Sequence, residues 1–147
     1  MDGDQVALDD RSDAWLIGRA RELLAITQAG ERAELNRHID EMDRLLAEAH
    51  NRGETRMVAQ ILRAATAIRV VDTTTAEAAS DMVEEFLDHA RRYDLLVLQA
   101  DAHALRGQRL LLIGREDDAL TEVAVGLAML DDNVAPDLMF GTRAWYV

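Results

Sequence analysis

An all-α fold of antiparallel helical hairpins, about six helices and the start of a seventh, is the architecture this sequence predicts. Three observations carry that expectation. Apolar residues recur at three- and four-residue spacing along most of the chain, as one face of a helix requires. A single proline, 4% aromatic content and abundant alanine and leucine favour helix over sheet. Two periodic segments meet at Gly114, a residue able to take the left-handed conformation that ends a helix and turns the chain. The 147 residues suffice for one domain with a core of several packed helices.

Residues 1–11, with four aspartates and Gly3 ahead of Arg11, read as a disordered acidic lead to a hairpin domain over 12–135. The first helix starts near Ser12 or Asp13, either of which caps, and buries Trp15, Leu16, Ala20, Leu23 and Leu24 before Gly30. Trp15 is expected to anchor one end of the core. The second, 31–52, has the cleanest stripe, Leu35, Ile39, Met42, Leu45, Leu46 and Ala49, and ends at Gly53. The third, 55–71, carries Met57, Val58, Ile61, Leu62, Ala65 and Ile68, while Ala64 and Ala67 permit close neighbours. Asp72, Thr73, Thr74 and Thr75 interrupt the pattern, since such residues prefer caps and turns. A fourth helix shows Ala79, Met82, Val83, Phe86, Leu87 and Ala90 on one side and closes at Arg91–Asp94.

The central stretch, 101–131, makes the last complete hairpin. On its first helix Ala102, Leu105, Leu112 and Ile113 form one face and Ala104, Gly107 and Leu111 a second, so it should be covered on two sides. Beyond Gly114, Glu116, Asp117 and Asp118 suit the positive end of a helix dipole, and Ala119, Leu120, Val123, Leu127 and Leu130 form the returning stripe. Pro136 then opens a further segment, 136–147, with Leu138, Met139, Thr142, Trp145 and Tyr146 on one side. So short a helix is marginal alone, so it should dock on the preceding hairpin, pair with another copy as a homo-oligomer, or continue in a longer parent protein, the last being the expectation.

Gly107, Gly114 and Ala119 stand at the spacing of the small residues of the tetratricopeptide repeat, and this hairpin resembles that family's helix–turn–helix unit of about 34 residues. The resemblance implies a short solenoid of stacked hairpins that binds a protein or peptide. It covers this one unit, about a fifth of the chain. Arg106 stands where the family has a large aliphatic residue, Leu110 where it has an aromatic, and Asp131 where it has a proline. The pairs Ala67/Gly107 and Ala79/Ala119 share one offset, somewhat longer than the family's period. A plain antiparallel bundle has the same need for glycine and stays open beside the repeat. The alanine- and arginine-rich hairpins are also similar to the amino-terminal input regions of some bacterial diguanylate cyclases and transcriptional regulators. No cyclase motif is present.

Composition narrows the functional classes. Net charge is −12, from 28 acids against 16 bases, all of them scattered arginines, which opposes nucleic-acid binding. Lysine is absent, as codon bias in a GC-rich bacterium would produce. There is no cysteine for disulfide, thiolate-metal or thiol chemistry. No apolar run approaches the roughly 20 residues of a membrane span, and the amino terminus is acidic where a secretory signal is basic, so a cytoplasmic protein without a membrane partner is expected.

Catalytic signatures are sparse. His38, His50, His89 and His103 fit neither HExxH nor the Glu-x-x-His spacing of paired iron, so no metal site and no cofactor are expected. His38, four residues after Glu34, reads as one half of a surface ion pair. His103 reads as a hydrogen-bonded boundary residue, with no serine, cysteine or threonine nucleophile suitably placed. Gly107 to Gly114 lacks the lysine and hydroxyl of a phosphate loop. Asp40 and Asp43, with Asp81, Glu84, Glu85 and Asp88, resemble the acidic helices of all-α magnesium-dependent nucleotide pyrophosphohydrolases, the alternative reading. Helical spacing sets Asp81, Glu84, Glu85 and Asp88 opposite the Met82–Phe86 face, toward solvent.

The favoured expectation is a non-catalytic interaction or signal-input module whose partner is a protein, a peptide or an effector domain of the same parent chain. In a hairpin stack the first helix of each pair lines a groove. Arg63, Arg69, His103, Arg106 and Arg109 are the candidate partner-binding residues, the guanidinium groups being suited to an acidic peptide. The competing reading pairs these arginines with the chain's own acids. The repeat family's carboxylate clamp is not carried over, because Asp101 and Ala104 occupy two of its positions.

Overall fold

The computed structural model describes residues 7–28, 33–70 and 76–133. Among them the secondary structure is entirely helical, so the all-α class holds. The chain divides into two compact units, Met1–Ile68 and Arg69–Val147.

In the first unit a 3-10 turn, Leu8–Asp10, precedes α1 (Asp13–Gln28), α2 (Leu35–Arg52) and α3 (Thr55–Val70), whose last two residues belong to the second unit. Ser12 caps α1: its Oγ accepts the Trp15 amide at 3.1 Å, one of the donors a helix start leaves open. α1 buries Leu16, Ala20, Leu23 and Leu24, and Thr27 returns its hydroxyl to the Leu23 carbonyl. α2 buries Ile39, Met42, Leu45, Leu46 and Ala49 and ends at Gly53, whose φ of 67° lets its amide reach the Ala49 and His50 carbonyls. The two helices run antiparallel: Asp13 at the start of α1 meets Arg52 at the end of α2 at 2.7 Å, and Arg19 in mid-α1 meets Glu41 earlier in α2 at 2.5 Å. Arg52 also donates to the carbonyls of Leu8 and Arg11 and to Glu48, fastening the last residues of the acidic lead to α2. The Arg11 guanidinium lies over the half-buried Trp15 ring, 4.6 Å from its centroid, a cation–π contact at the end of α1.

α2 starts four residues later than the sequence pattern suggested. Ala33 and Glu34 form a turn, while positions 31 and 32 lie outside the described residues. His38 is buried, not a surface residue; its Nε2 stands 3.9 Å from Glu34 and its Nδ1 has no partner. The neighbouring stripe, with Ile39 and Met42, carries it inward. α3 is capped by Glu54, whose carboxylate accepts the amides of Arg56 and Met57. Its buried residues run around most of its circumference: Met57, Val58, Ala59, Ile61, Leu62, Ala64, Ala65 and Ile68.

The second unit contains α4 (Ala76–Arg92), α5 (Leu96–Leu112) and α6 (Glu116–Asn133). The sequence break at 71–75 and the proline-initiated segment at 136–147 lie outside the described residues. α4 buries Ala79, Val83, Phe86, Leu87 and Ala90, as its stripe predicts. It closes on Asp94, a non-glycine residue at φ 58°, with the Leu95 amide donating back to Ala90 at 2.9 Å. The α5–α6 turn repeats that geometry at Gly114 (φ 83°), where the Arg115 amide donates to Leu110 at 2.9 Å. Both are Schellman-type ends that satisfy carbonyls the helix leaves open. Each neighbouring pair is antiparallel: Arg106 of α5 reaches Glu84 of α4, Gln99 reaches Ala90, and Gly107 of α5 abuts Ala119 of α6.

α5 begins at Leu96, earlier than its apolar pattern suggested, and from Leu98 to Leu105 all but Gln99 are buried. Its last turn departs from expectation: Leu111, Leu112 and Ile113 are each about half exposed. Leu120 of α6, counted in the returning stripe, is 67% exposed. The inward line of α6 starts at Ala119 against Gly107, and Leu120 is turned about 100° away from it.

Candidate interaction surface

Two of the three candidate residues of α5, His103 and Arg106, fall into a polar network crossing three helices. His103 is only 4% exposed, and its Nδ1 is 2.8 Å from an oxygen of Glu122 on α6. An ionised carboxylate only accepts, so Nδ1 carries the proton of that bond. One turn along α5, Arg106 places Nη1 3.3 Å from the same carboxylate and Nη2 2.5 Å from Glu84 on α4. Burial opposes the Arg106 charge, but Glu84 and Glu122 outweigh it and hold its pKa above the ordinary arginine value. This arginine therefore serves the chain's own acids, and with His103 it ties α6 to α5 through Glu122.

Gly107 fixes their separation. A methyl group built on it meets the Ala119 carbonyl oxygen and Val123 Cγ2, each at 3.3 Å, so the backbones are in near contact. The close approach inferred from sequence is present here, and further along the pair Ala100 and Leu130 meet in one apolar cluster.

Arg109, on the next turn of α5, is 8% exposed, and its Nε lacks a hydrogen-bond partner. Arg63 and Arg69 on α3 are half-buried, and each is engaged in an interaction of its own. Of the five candidates the structure joins His103 and Arg106 through Glu122. Glu122 itself escaped the sequence reading, and Glu84 entered it only as a solvent-facing acid; no local spacing pairs residues 84, 103 and 122 on three helices. Asp81, Glu84, Glu85 and Asp88 are exposed, as their position on α4 predicts. Among the described residues no three acidic or histidine side chains gather as a metal site requires, and no helix is long and apolar enough to cross a membrane.

Beyond its acidic first turn the outward side of α6 is apolar apart from Thr121. Leu120, Ala124, Val125 and Ala128 are exposed and Leu127 is half-buried, whereas Ala119, Gly126 and Leu130 face inward. The sequence signal for this face was apolar residues on both sides of α6, in place of one stripe and one polar side. No family model matches this chain, and neither does any curated protein or solved structure.

Proposed function

We propose that this chain is a non-catalytic interaction or signal-input module, built from tetratricopeptide-like hairpins and serving a protein partner or an effector domain in a cytoplasmic setting. The observation that carries the reading is the outer side of α6: Leu120, Ala124 and Ala128 form an exposed line on a helix whose inner side is held by Gly107, His103 and Arg106. Exposed apolar lines of this kind mark places where another chain docks. The spacing of Gly107, Gly114 and Ala119, which resembles the repeat family, supports the same class.

The test places a photo-crosslinking amino acid at position 63, 111 or 120 of the full chain in the cells that make it. A discrete protein adduct from at least one position is the expected result. No protein adduct from any of them, or magnesium-dependent nucleotide hydrolysis that Glu85→Gln abolishes, overturns the reading.

A further inference from the structure

Among the described residues Arg109 is the one arginine that the fold buries, with 8% of it exposed. In a chain of 28 acids and 16 bases a guanidinium readily finds a carboxylate, as Arg19, Arg52, Arg106 and Arg115 do. Arg109 makes no hydrogen bond or ion pair with a described residue. Its position explains why: one turn away on α5 stand Leu105, Arg106, Leu112 and Ile113, none of them an acid, and Asp101, two turns back, has an interaction of its own. The last carbonyls of the helix do not serve it either, because those of Arg109, Leu110 and Leu111 receive the amides of Ile113, Arg115 and Gly114. The negative end of the α5 dipole offsets part of the charge and leaves the N–H donors open. A buried guanidinium without an acceptor is costly, so this position calls for an anion.

The surroundings select the anion. Nε is sealed from solvent, whereas Nη1 and Nη2 are unpaired and not sealed, so a small solute can reach the outer edge of the guanidinium. The arginines nearest in sequence, Arg106 and Arg115, are held by Glu84 and Glu122 and by Asp118, so neither is free to balance a second negative charge. On a chain of net charge −12 a monoanion is therefore favoured over a phosphate dianion. Leu105 is buried beside Arg109, and Leu112 and Ile113, which straddle its line one turn on, are about half exposed. Those side chains favour an anion that carries an apolar tail. The geometry points to Arg109 as the receptor for the carboxylate of a small amphiphile, a medium-chain fatty acid in class, held in the fork of the guanidinium with its alkyl chain along Leu112 and Ile113. This adds a small-molecule input to the interaction module proposed above, and it does not depend on the outer line of α6.

The test titrates the full chain with decanoate, decanol and acetate by calorimetry and follows the arginine Nε–H resonances by NMR in the same samples. Decanoate should bind at least about tenfold tighter than either of the others, and it should shift the Arg109 Nε–H signal where decanol does not. Arg109→Met keeps an unbranched apolar stem and should lower decanoate affinity about tenfold or more while leaving decanol binding unchanged. Arg109→Lys, which keeps the charge and loses the fork, should fall between. Circular dichroism verifies the fold of both variants, and if neither folds, the wild-type resonance decides. Equal binding of decanoate and decanol, decanoate binding that Arg109→Met leaves intact, or acetate binding as tight as decanoate overturns the inference. If decanoate fails to bind and a photo-crosslinker at position 112 captures a protein that Arg109→Met releases, the guanidinium serves a protein carboxylate: this inference falls and the interaction reading stands. No decanoate binding and no such capture overturns it equally.

Discussion

Gly107→Ala is a substitution whose sign depends on the α5–α6 contact. In an exposed helix interior alanine is favoured over glycine by about 1 kcal/mol. At Gly107 the added methyl meets the Ala119 carbonyl oxygen and Val123 Cγ2 at 3.3 Å and Glu122 Cβ at 3.6 Å. The carbonyl belongs to the backbone of α6 and yields only if the helix moves, which the His103–Glu122 bond and the Ala100–Leu130 cluster resist. Overpacking of this kind costs about 1–3 kcal/mol, so the expected net effect is a destabilisation of about 1 kcal/mol. Gly18 on α1 supplies the control: it is exposed and an added methyl meets nothing within 4 Å, so Gly18→Ala should stabilise by about 1 kcal/mol. Each kcal/mol corresponds to a shift of about 3 °C in a chain of this size. Calorimetry gives the shifts, and native-state hydrogen exchange of the α1, α5 and α6 amides assigns each to its own unit. Gly107→Ala stabilising as much as Gly18→Ala would refute the near contact of the α5 and α6 backbones.

Three further perturbations probe the ion pairs. Glu122→Ala strips both His103 and Arg106 of a shared acceptor and should cost about 2 kcal/mol in urea unfolding. Glu84→Ala removes the more exposed end of the same network and should cost about 0.5 kcal/mol, so comparable losses would argue against the inner position of Glu122. Glu41 is held below the ordinary carboxylate range, chiefly by its hydrogen bond from Arg19. A carboxyl lowered in the folded state adds stability that is complete above the unfolded carboxylate pKa and vanishes as pH falls through the folded one. The stability gap between wild type and Glu41→Gln should therefore narrow as pH is taken from about 6 to about 3, and a gap that widens contradicts the pairing. Arg52 holds the Leu8 and Arg11 carbonyls through one nitrogen. Both Arg52→Ala and Arg52→Lys should speed tryptic cleavage after Arg11, because an ammonium cannot reproduce the fork; unchanged cleavage in either variant counts against the clamp.

Much of the fold was legible because the signals are local. Ser12, Gly53 and Gly114 begin or end helices by chemistry readable at a single position, and the stripes of α2 and α4 place their buried residues apart from Leu35 and Met82, which are half-buried. The spacing of Gly107 and Ala119 gave the close helix pair, since few other reasons put glycine inside so leucine-rich a segment. The misplacements share one cause, that apolar character does not reveal how far a neighbour extends. Leu111 to Ile113 continue the pattern of α5 beyond the reach of Ala119, and Leu120 continues a stripe already turned outward. His38 failed in the opposite direction, a polar residue drawn inside by its neighbours. Whether a guanidinium of α5 meets a partner or its own chain is a long-range matter. Arg106 finds Glu84 and Glu122 across 22 and 16 residues of sequence.

α6 inverts the usual division of an amphipathic helix. Through its first three turns its inner side rests largely on small and charged residues, Ala119, Glu122 and Gly126, with Val123 against Gly107 and Leu130 buried further along, while Leu120 and Val125 are exposed. Close backbone approach demands the small residues inside, and this displaces the larger apolar ones to the surface. The arrangement implies that Leu120 contributes nothing to the stability of the isolated chain. Leu120→Ser should change the free energy of unfolding by less than about 0.5 kcal/mol, as surface substitutions do. Leu130→Ala, at a fully buried site on the same helix, should cost about 3 kcal/mol. If both proved equally costly in urea unfolding, the outer line would already be covered within the chain, and no partner would be needed to account for it.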